Sequence, residues 1–159
     1  GCVDGHAVQH LRRHRHRRAA REEGAGHGGG ASWIMRTMQP AAYTGLDLNP
    51  EGIRFCQRRH AVAALTFVQG DAQKLPFPDG SLDAVINVEA SHCYPDFPGF
   101  VSEVARVLKP GSRFCHADLR YRSGVDEWVA ALARHPLLRL DEMRLINLLC
   151  KLTQLGASV

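Results

Sequence analysis

No run of apolar residues in this 159-residue chain approaches the ~18 that a membrane span requires, and its first residues lack the apolar stretch of a secretory signal. The five cysteines (Cys2, Cys56, Cys93, Cys115, Cys150) are odd in number and scattered, with no C-x-x-C pair, which argues for reduced thiols and against a disulfide framework. A soluble, cytoplasmic protein is expected, and lipid substrates stay open to it. Acidic residues are missing from one segment: residues 11–21 hold six arginines and no Asp or Glu. Taking those six charges from the net +4 leaves −2 for the remainder, so the basicity belongs to a short segment and not to a folded face. His10, His14 and His16 have ligand-like spacing there, but the arginine charge opposes a cation and no metal site is expected. The segment also lacks interleaved aromatics, and no nucleic-acid partner is expected.

What is present is a cluster of five glycines within residues 24–30 (Gly-Ala-Gly-His-Gly-Gly-Gly), directly after Glu22 and Glu23. Such a turn lets backbone approach a ligand with no Cβ in the way. Gly24, Gly26 and Gly29 fit the spacing G-x-G-x-x-G, which points to NAD and an oxidoreductase. Glu22, Gly24, Gly26 and Gly28 fit E-x-G-x-G-x-G. Taken alone, the cluster also fits a flexible linker. Two strand-end carboxylates follow it. Asp47 stands about 20 residues on, where a carboxylate can take vicinal ribose hydroxyls, and Asp71 can accept from an adenine amino group. A loop of this kind should follow a buried strand, yet Arg17-Arg-Ala-Ala-Arg21 occupies that place. Burying unpaired arginines costs several kcal/mol each, so an ordinary central strand is not expected there.

From residue 31 onward, apolar runs alternate with helical patterns, the mark of an α/β fold with a mainly parallel sheet and flanking helices. Strands are expected at 42–48, 65–69, 82–88 and 113–119. Helices are expected at 32–38, 50–59, 97–108, 125–134 and 141–155, the second opened by Asn49-Pro50 and the third closed by Lys109-Pro110-Gly111. Leu145, Leu148, Leu149, Leu152 and Leu155 form an apolar face in the last helix, suited to core packing or to a lipid chain. One domain follows a basic segment at residues 1–21.

Several blocks carry a specific resemblance. Leu75-Pro-Phe-Pro-Asp-Gly-Ser-Leu-Asp-Ala-Val-Ile-Asn87 and Glu103-Val-Ala-Arg-Val-Leu-Lys-Pro-Gly111, in this order, resemble the class I S-adenosylmethionine-dependent methyltransferases. Within that superfamily, Tyr43-Thr-Gly-Leu-Asp-Leu-Asn-Pro50, Val88-Glu-Ala-Ser-His-Cys-Tyr-Pro95 and Ala117-Asp-Leu-Arg120 are similar to the mycobacterial phthiotriol/phenolphthiotriol dimycocerosates methyltransferase group, which O-methylates lipid hydroxyls. The resemblance covers about residues 22–155 and is strong over 42–120. It implies a Rossmann-like fold and S-adenosyl-L-methionine as cofactor. Glu22 and the loop through Gly24, Gly26 and Gly28 would lie against the methionyl end of the cofactor. Asp47 would take the ribose hydroxyls, Leu48 would pack on adenine, Asp71 and Ala72 would meet the adenine edge, and Asn87 would hold the amino-acid moiety. It also implies that the sheet is incomplete, with an aberrant first strand and the last strands missing, as in a truncated methyltransferase domain over 22–159. A non-catalytic remnant is the alternative.

Methyl transfer from a sulfonium is a displacement, so the protein must align donor and acceptor and take up a proton from an acceptor hydroxyl. In an open α/β sheet such groups belong after the strand ends. His92, in Glu89-Ala-Ser-His-Cys-Tyr, is the candidate general base, Asp118 its orienting or proton-sharing partner, and Glu89 an alternative acid in contact with substrate or cofactor. Related sugar and natural-product O-methyltransferases often place two adjacent histidines here, and this chain has Cys93 second. His116, Asp79 and Asp83 read as structural.

Overall fold

The computed structural model describes residues 19–23 and 26–144. His10, His14 and His16, and the leucine face from Leu145 to Leu155, lie outside the described residues. The chain alternates strand and helix: β1 (Ala19–Glu23), α1 (Gly29–Thr37), β2 (Ala42–Asp47), α2 (Pro50–Arg59), β3 (Leu65–Gln69), β4 (Leu82–Val88), α3 (Phe97–Val107), β5 (Leu108–Ala117) and α4 (Val125–Ala133). Short 3-10 turns follow β4 (Ser91–Cys93) and β5 (Arg122–Gly124). The five strands form one sheet in the order β3-β2-β1-β4-β5, and every neighbouring pair is parallel.

Local chemistry starts these helices where the sequence says. In α2 the Asn49 side chain accepts from the Glu51 amide at 3.0 Å, Pro50 supplies a preset φ, and Glu51 and Arg58–Arg59 complement the helix dipole at its two ends. In α3 the Asp96 carboxylate accepts from the Gly99 amide at 2.9 Å, and Phe100, Val101, Val104, Ala105 and Val107 line the buried face. One core cluster packs α1 and α2 onto one face of the sheet through Ile34, Met35, Ile53, Cys56, Tyr43, Phe67 and Ile86. The other packs α3 onto the opposite face through Phe100, Val104, Leu46, Leu82 and Val85. Helices on both faces of a parallel sheet make the doubly wound, Rossmann-like arrangement.

Two expectations are corrected. The backbone of Ala19–Glu23 is a central strand, pairing in register with Ala42–Leu46 on one side and, from Ala20, with Ala84–Asn87 on the other. The boundary expected between residues 21 and 22 therefore falls inside β1. A parallel ladder is built from peptide groups, so an unsuitable composition does not by itself remove the backbone pairing that two flanking strands offer. The helix expected from Asp141 is not formed over residues 141–144. At β5 the difference is smaller. Helix α3 runs directly into the strand at Leu108, paired with Leu82, and an irregularity over the next residues precedes the Arg113–Ala84 pair.

Candidate functional site

All five strands point the same way, so their carboxyl ends share one edge of the sheet. The order β3-β2-β1-β4-β5 reverses direction between β1 and β4, and ligands of open α/β sheets sit outside the carboxyl ends at such a reversal. The candidate residues gather along this edge: Asp47 at the end of β2, Asp71 beyond β3, Asn87 and Glu89 at the end of β4, and Asp118 just after β5.

The glycine loop is tied to Asp47 directly. The Gly26 amide donates to Asp47 Oδ2 at 3.1 Å and the Asn49 amide to Oδ1 at 2.9 Å. A carboxylate has about four lone-pair directions, so both oxygens keep capacity for further donors, such as vicinal hydroxyls. Gly28 adopts φ +74° as the N-cap of α1, and a Cβ there would stand 2.8 Å from the His60 ring and 3.0 Å from Cys56 Sγ and Phe67. Its need for glycine therefore comes from packing against α2 and β3 as well as from its backbone angle. His60 Nε2 adds a contact to the His27 carbonyl at 2.8 Å. Glu22 is paired through its backbone to Gly45 and Ile86, and Gly24 lies outside the described residues.

Around the base-recognition end, Leu48 is 67% exposed, a large apolar side chain left on the surface beside Asp47. Asp71 is exposed, and its Oδ1 accepts from the Gln73 amide at 2.8 Å. The Ala72 side chain is buried with Leu46 and Leu75, so a ligand reaches this residue through its backbone only. Asn87 is fully buried and donates from Nδ2 to the Tyr94 hydroxyl at 3.1 Å, fastening the turn after β4 to the strand.

The second half of the edge is a hydrogen-bonded cluster. His92 Nδ1 lies 2.7 Å from Asp118 Oδ1, with the histidine side chain 30% exposed and the carboxylate wholly buried. Asp118 Oδ1 also takes the Leu119 amide at 2.8 Å, and Oδ2 takes the Ser91 hydroxyl. Burial alone would raise the Asp118 pKa, but the hydrogen bonds from Ser91, His92 and the Leu119 amide, with the Arg120 charge, hold it below the ordinary carboxylate value. An ionised Asp118 can only accept, so His92 Nδ1 is the donor in this contact, and in the neutral ring the lone pair is then on Nε2. Glu89 adopts φ +49°, costly for a residue with a Cβ, while its amide donates to the Ala117 carbonyl at 2.7 Å. His116 packs on Phe114 and Trp128 with ring centroids 5.2 and 5.1 Å away, and burial pushes its pKa down to about 4.

The structure thus brings His92 and Asp118 into contact, and Gly26 into contact with Asp47. Ser91 and Arg120 were not singled out from the sequence, although both lie inside the blocks that carry the resemblance. A small polar residue and an arginine flanking a histidine and an aspartate give no spacing signal of their own. A cleft of about 240 Å³ is lined by Gln57, His60, Ala61, Leu65, Thr66 and Phe67, none of them a candidate residue. Among the described residues, no group of three His, Cys, Asp or Glu is placed to hold a metal ion.

With this geometry in place, comparisons with known proteins are informative. The profile of the family described as "Methyltransferase domain" matches residues 22–116. The fatty-acid O-methyltransferase of Mycolicibacterium smegmatis is 60% identical over 126 residues, covering 79% of this chain and 46% of that protein. The phthiotriol/phenolphthiotriol dimycocerosates methyltransferase of Mycobacterium tuberculosis is 54% identical over 124 residues, covering 78% and 46%. Among solved structures, the YcgJ protein of Bacillus subtilis superposes with a TM-score of 0.62 at 29% identity, over 88% of this chain and 60% of that one. The chain spans about half the length of the curated relatives it matches.

Proposed function

This chain belongs to the methyltransferase-domain family, and from that premise we propose that it serves S-adenosylmethionine-dependent O-methylation of a lipid hydroxyl. The observation that carries the proposal is the His92–Asp118 contact on the same strand edge as the Asp47-bound glycine loop. The cofactor supplies a methyl group already activated on sulfonium. Asp47 would take the ribose hydroxyls with Leu48 against the adenine, Asp71 and the Ala72 backbone would meet the adenine edge, and Gly26, Gly28 and Asn87 would serve the amino-acid end, a role the family resemblance gives also to Glu22 and Gly24. No side chain must form a covalent intermediate, so the protein's work is alignment and proton removal.

His92 is the base in this reading. Asp118 fixes its Nδ1–H tautomer and stabilises the imidazolium that forms when Nε2 takes the acceptor's proton. Glu89, three residues earlier, would be the alternative acid in contact with substrate or cofactor. The relatives' names cover two acceptor chemistries, and the dyad favours one. A fatty-acid carboxyl is ionised at neutral pH and needs no base, whereas a hydroxyl does. The same reading puts the chain in the cytoplasm, where Cys56, Cys93 and Cys115, none of them in a disulfide, stay reduced.

Radiolabelled methyl transfer to a long-chain secondary alcohol and to a fatty acid of equal length tests this directly. His92→Ala should cut transfer to the alcohol by about 10²-fold or more while leaving carboxyl methylation within a few-fold. Equal loss on both acceptors would make His92 structural, and transfer to neither by the parent chain would remove the activity from it.

A further inference from the structure

A third charged group completes the cluster around His92. Arg120 is only 18% exposed, and its guanidinium lies over the Phe97 ring at 5.4 Å and the Trp128 ring at 5.7 Å. It is therefore gripped by aromatics from α3 and α4 at a site where a cation gains from the ring quadrupoles. Its Nη2 donates to Ser91 Oγ at 2.8 Å and stands 3.4 Å from Asp118 Oδ2. Ser91 is 1% exposed and has one hydroxyl hydrogen to direct.

The donor and acceptor inventory gives this cluster a single direction. Arginine can only donate, so it occupies a lone pair of Ser91 Oγ. An ionised carboxylate can only accept, so the Ser91 hydrogen goes to Asp118 Oδ2. With Oδ2 engaged, Oδ1 faces the Leu119 amide and His92 Nδ1. His116 Nε2, 3.4 Å from Ser91 Oγ, joins the same scheme as a further donor in the tautomer that carries its single ring hydrogen on Nε2. Every bond runs from Arg120 toward Asp118, and His92 then donates into it from the other side. Reversing any of them would leave two acceptors or two donors facing each other.

We infer that Arg120 and Ser91 are positioning residues that hold the Asp118 carboxylate in one orientation and so select the His92 tautomer whose Nε2 is the base. The inference rests on the assignment of His92 given above and adds α4 to the site, since Trp128 helps grip the guanidinium. Outer partners that orient a metal-ligating histidine change activity about 10- to 100-fold when removed, and the same scale is expected for the partners of an oriented base.

Long-range nitrogen–proton correlation on the whole chain, with His92 assigned through His92→Ala, reads the tautomer without requiring activity. The parent should show one neutral form, protonated on Nδ1. Arg120→Met should mix the two tautomers and lower kcat about 10-fold or more with KM for the methyl donor unchanged, while Arg120→Lys, which keeps a cation and a donor, should recover most of both. Ser91→Ala breaks the same chain without removing the charge and should mix the tautomers even if Arg120→Met fails to fold. A single Nδ1–H tautomer retained in either folded variant overturns the inference. A chain that shows the tautomer response but transfers no methyl group upholds the positioning role and overturns the functional reading instead.

Discussion

Among the described residues, His116 carries the clearest pH signature. Its pKa of about 4 arises chiefly from burial beside Phe114 and Trp128, against an unfolded value of ~6.5. Between those values the unfolded chain binds more protons, so stability falls as pH drops from 6.5 toward 4 and this contribution stops falling below it. The contribution of Asp118 has the same sign in a lower pH window. Its folded pKa is depressed, so its stabilisation is complete above the unfolded value of ~3.9 and lost below. The two windows are thus separate. Urea unfolding at pH 7 and pH 5 should show that His116→Phe removes about 2 kcal/mol of the parent's acid-induced loss. An equal loss in both proteins would mean that His116 titrates normally. Residue-level roles were unevenly legible. Asp47, His92 and Asp118 were open to proposal because carboxylates at strand ends and a histidine after a strand are informative residue types in informative places, and the structure adds the Asp47–Gly26 and His92–Asp118 contacts. Ser91 and Arg120 were not, because their part depends on which donor meets which acceptor across 29 residues of sequence.

At the scale of elements, the two blocks that carried the family resemblance turn out to be bonded to each other. Arg106 of α3 donates to Glu103 at 2.7 and 2.8 Å, to the Leu75 and Phe77 carbonyls at 3.0 and 2.9 Å, and to Asp79 at 2.7 Å. Glu103 in turn accepts the Leu75 amide at 2.8 Å, and the Arg106 hydrogen bond leads the causes that hold its pKa below the usual value. The turn-rich segment between β3 and β4 is therefore clamped to α3 by one fork-shaped side chain. Asp79 is 82% exposed, so that pair adds little, whereas the two carbonyls each lose a charged donor when the guanidinium goes, Leu75 keeping the Phe77 amide at 2.8 Å. Arg106→Ala should cost roughly 1–2 kcal/mol in urea unfolding, and Arg106→Lys should restore less than half. A cost below about 0.5 kcal/mol would show that the turn holds itself. Element identity was legible wherever caps and turn residues marked the ends, as at Asn49-Pro50 and at Leu82–Val88. Strand β5 began five residues earlier than its sequence suggested, because Leu108 can end α3 and open the strand at one position, a tertiary pairing with Leu82 that Lys109-Pro110-Gly111 concealed.

For the whole molecule, the alternation of elements was enough to give a parallel sheet wrapped on both faces, since only crossover helices join parallel neighbours. The exception was β1, where six arginines over residues 11–21 argued against a strand and the sheet nevertheless pairs Ala19–Glu23 through its backbone on both sides. That placement matters for function, because β1 delivers the glycine loop to the reversal point beside β4, with Asp47 on one side and the His92–Asp118 pair on the other. If this edge holds S-adenosylmethionine through Asp47, calorimetric titration of the chain with that nucleoside reads the binding without any methyl acceptor. Saturable binding at one site is expected, weakened at least about tenfold by Asp47→Ala, a loss near 1.4 kcal/mol or more, with no comparable response to NAD. No heat at millimolar S-adenosylmethionine, or equal binding by Asp47→Ala, would contradict it.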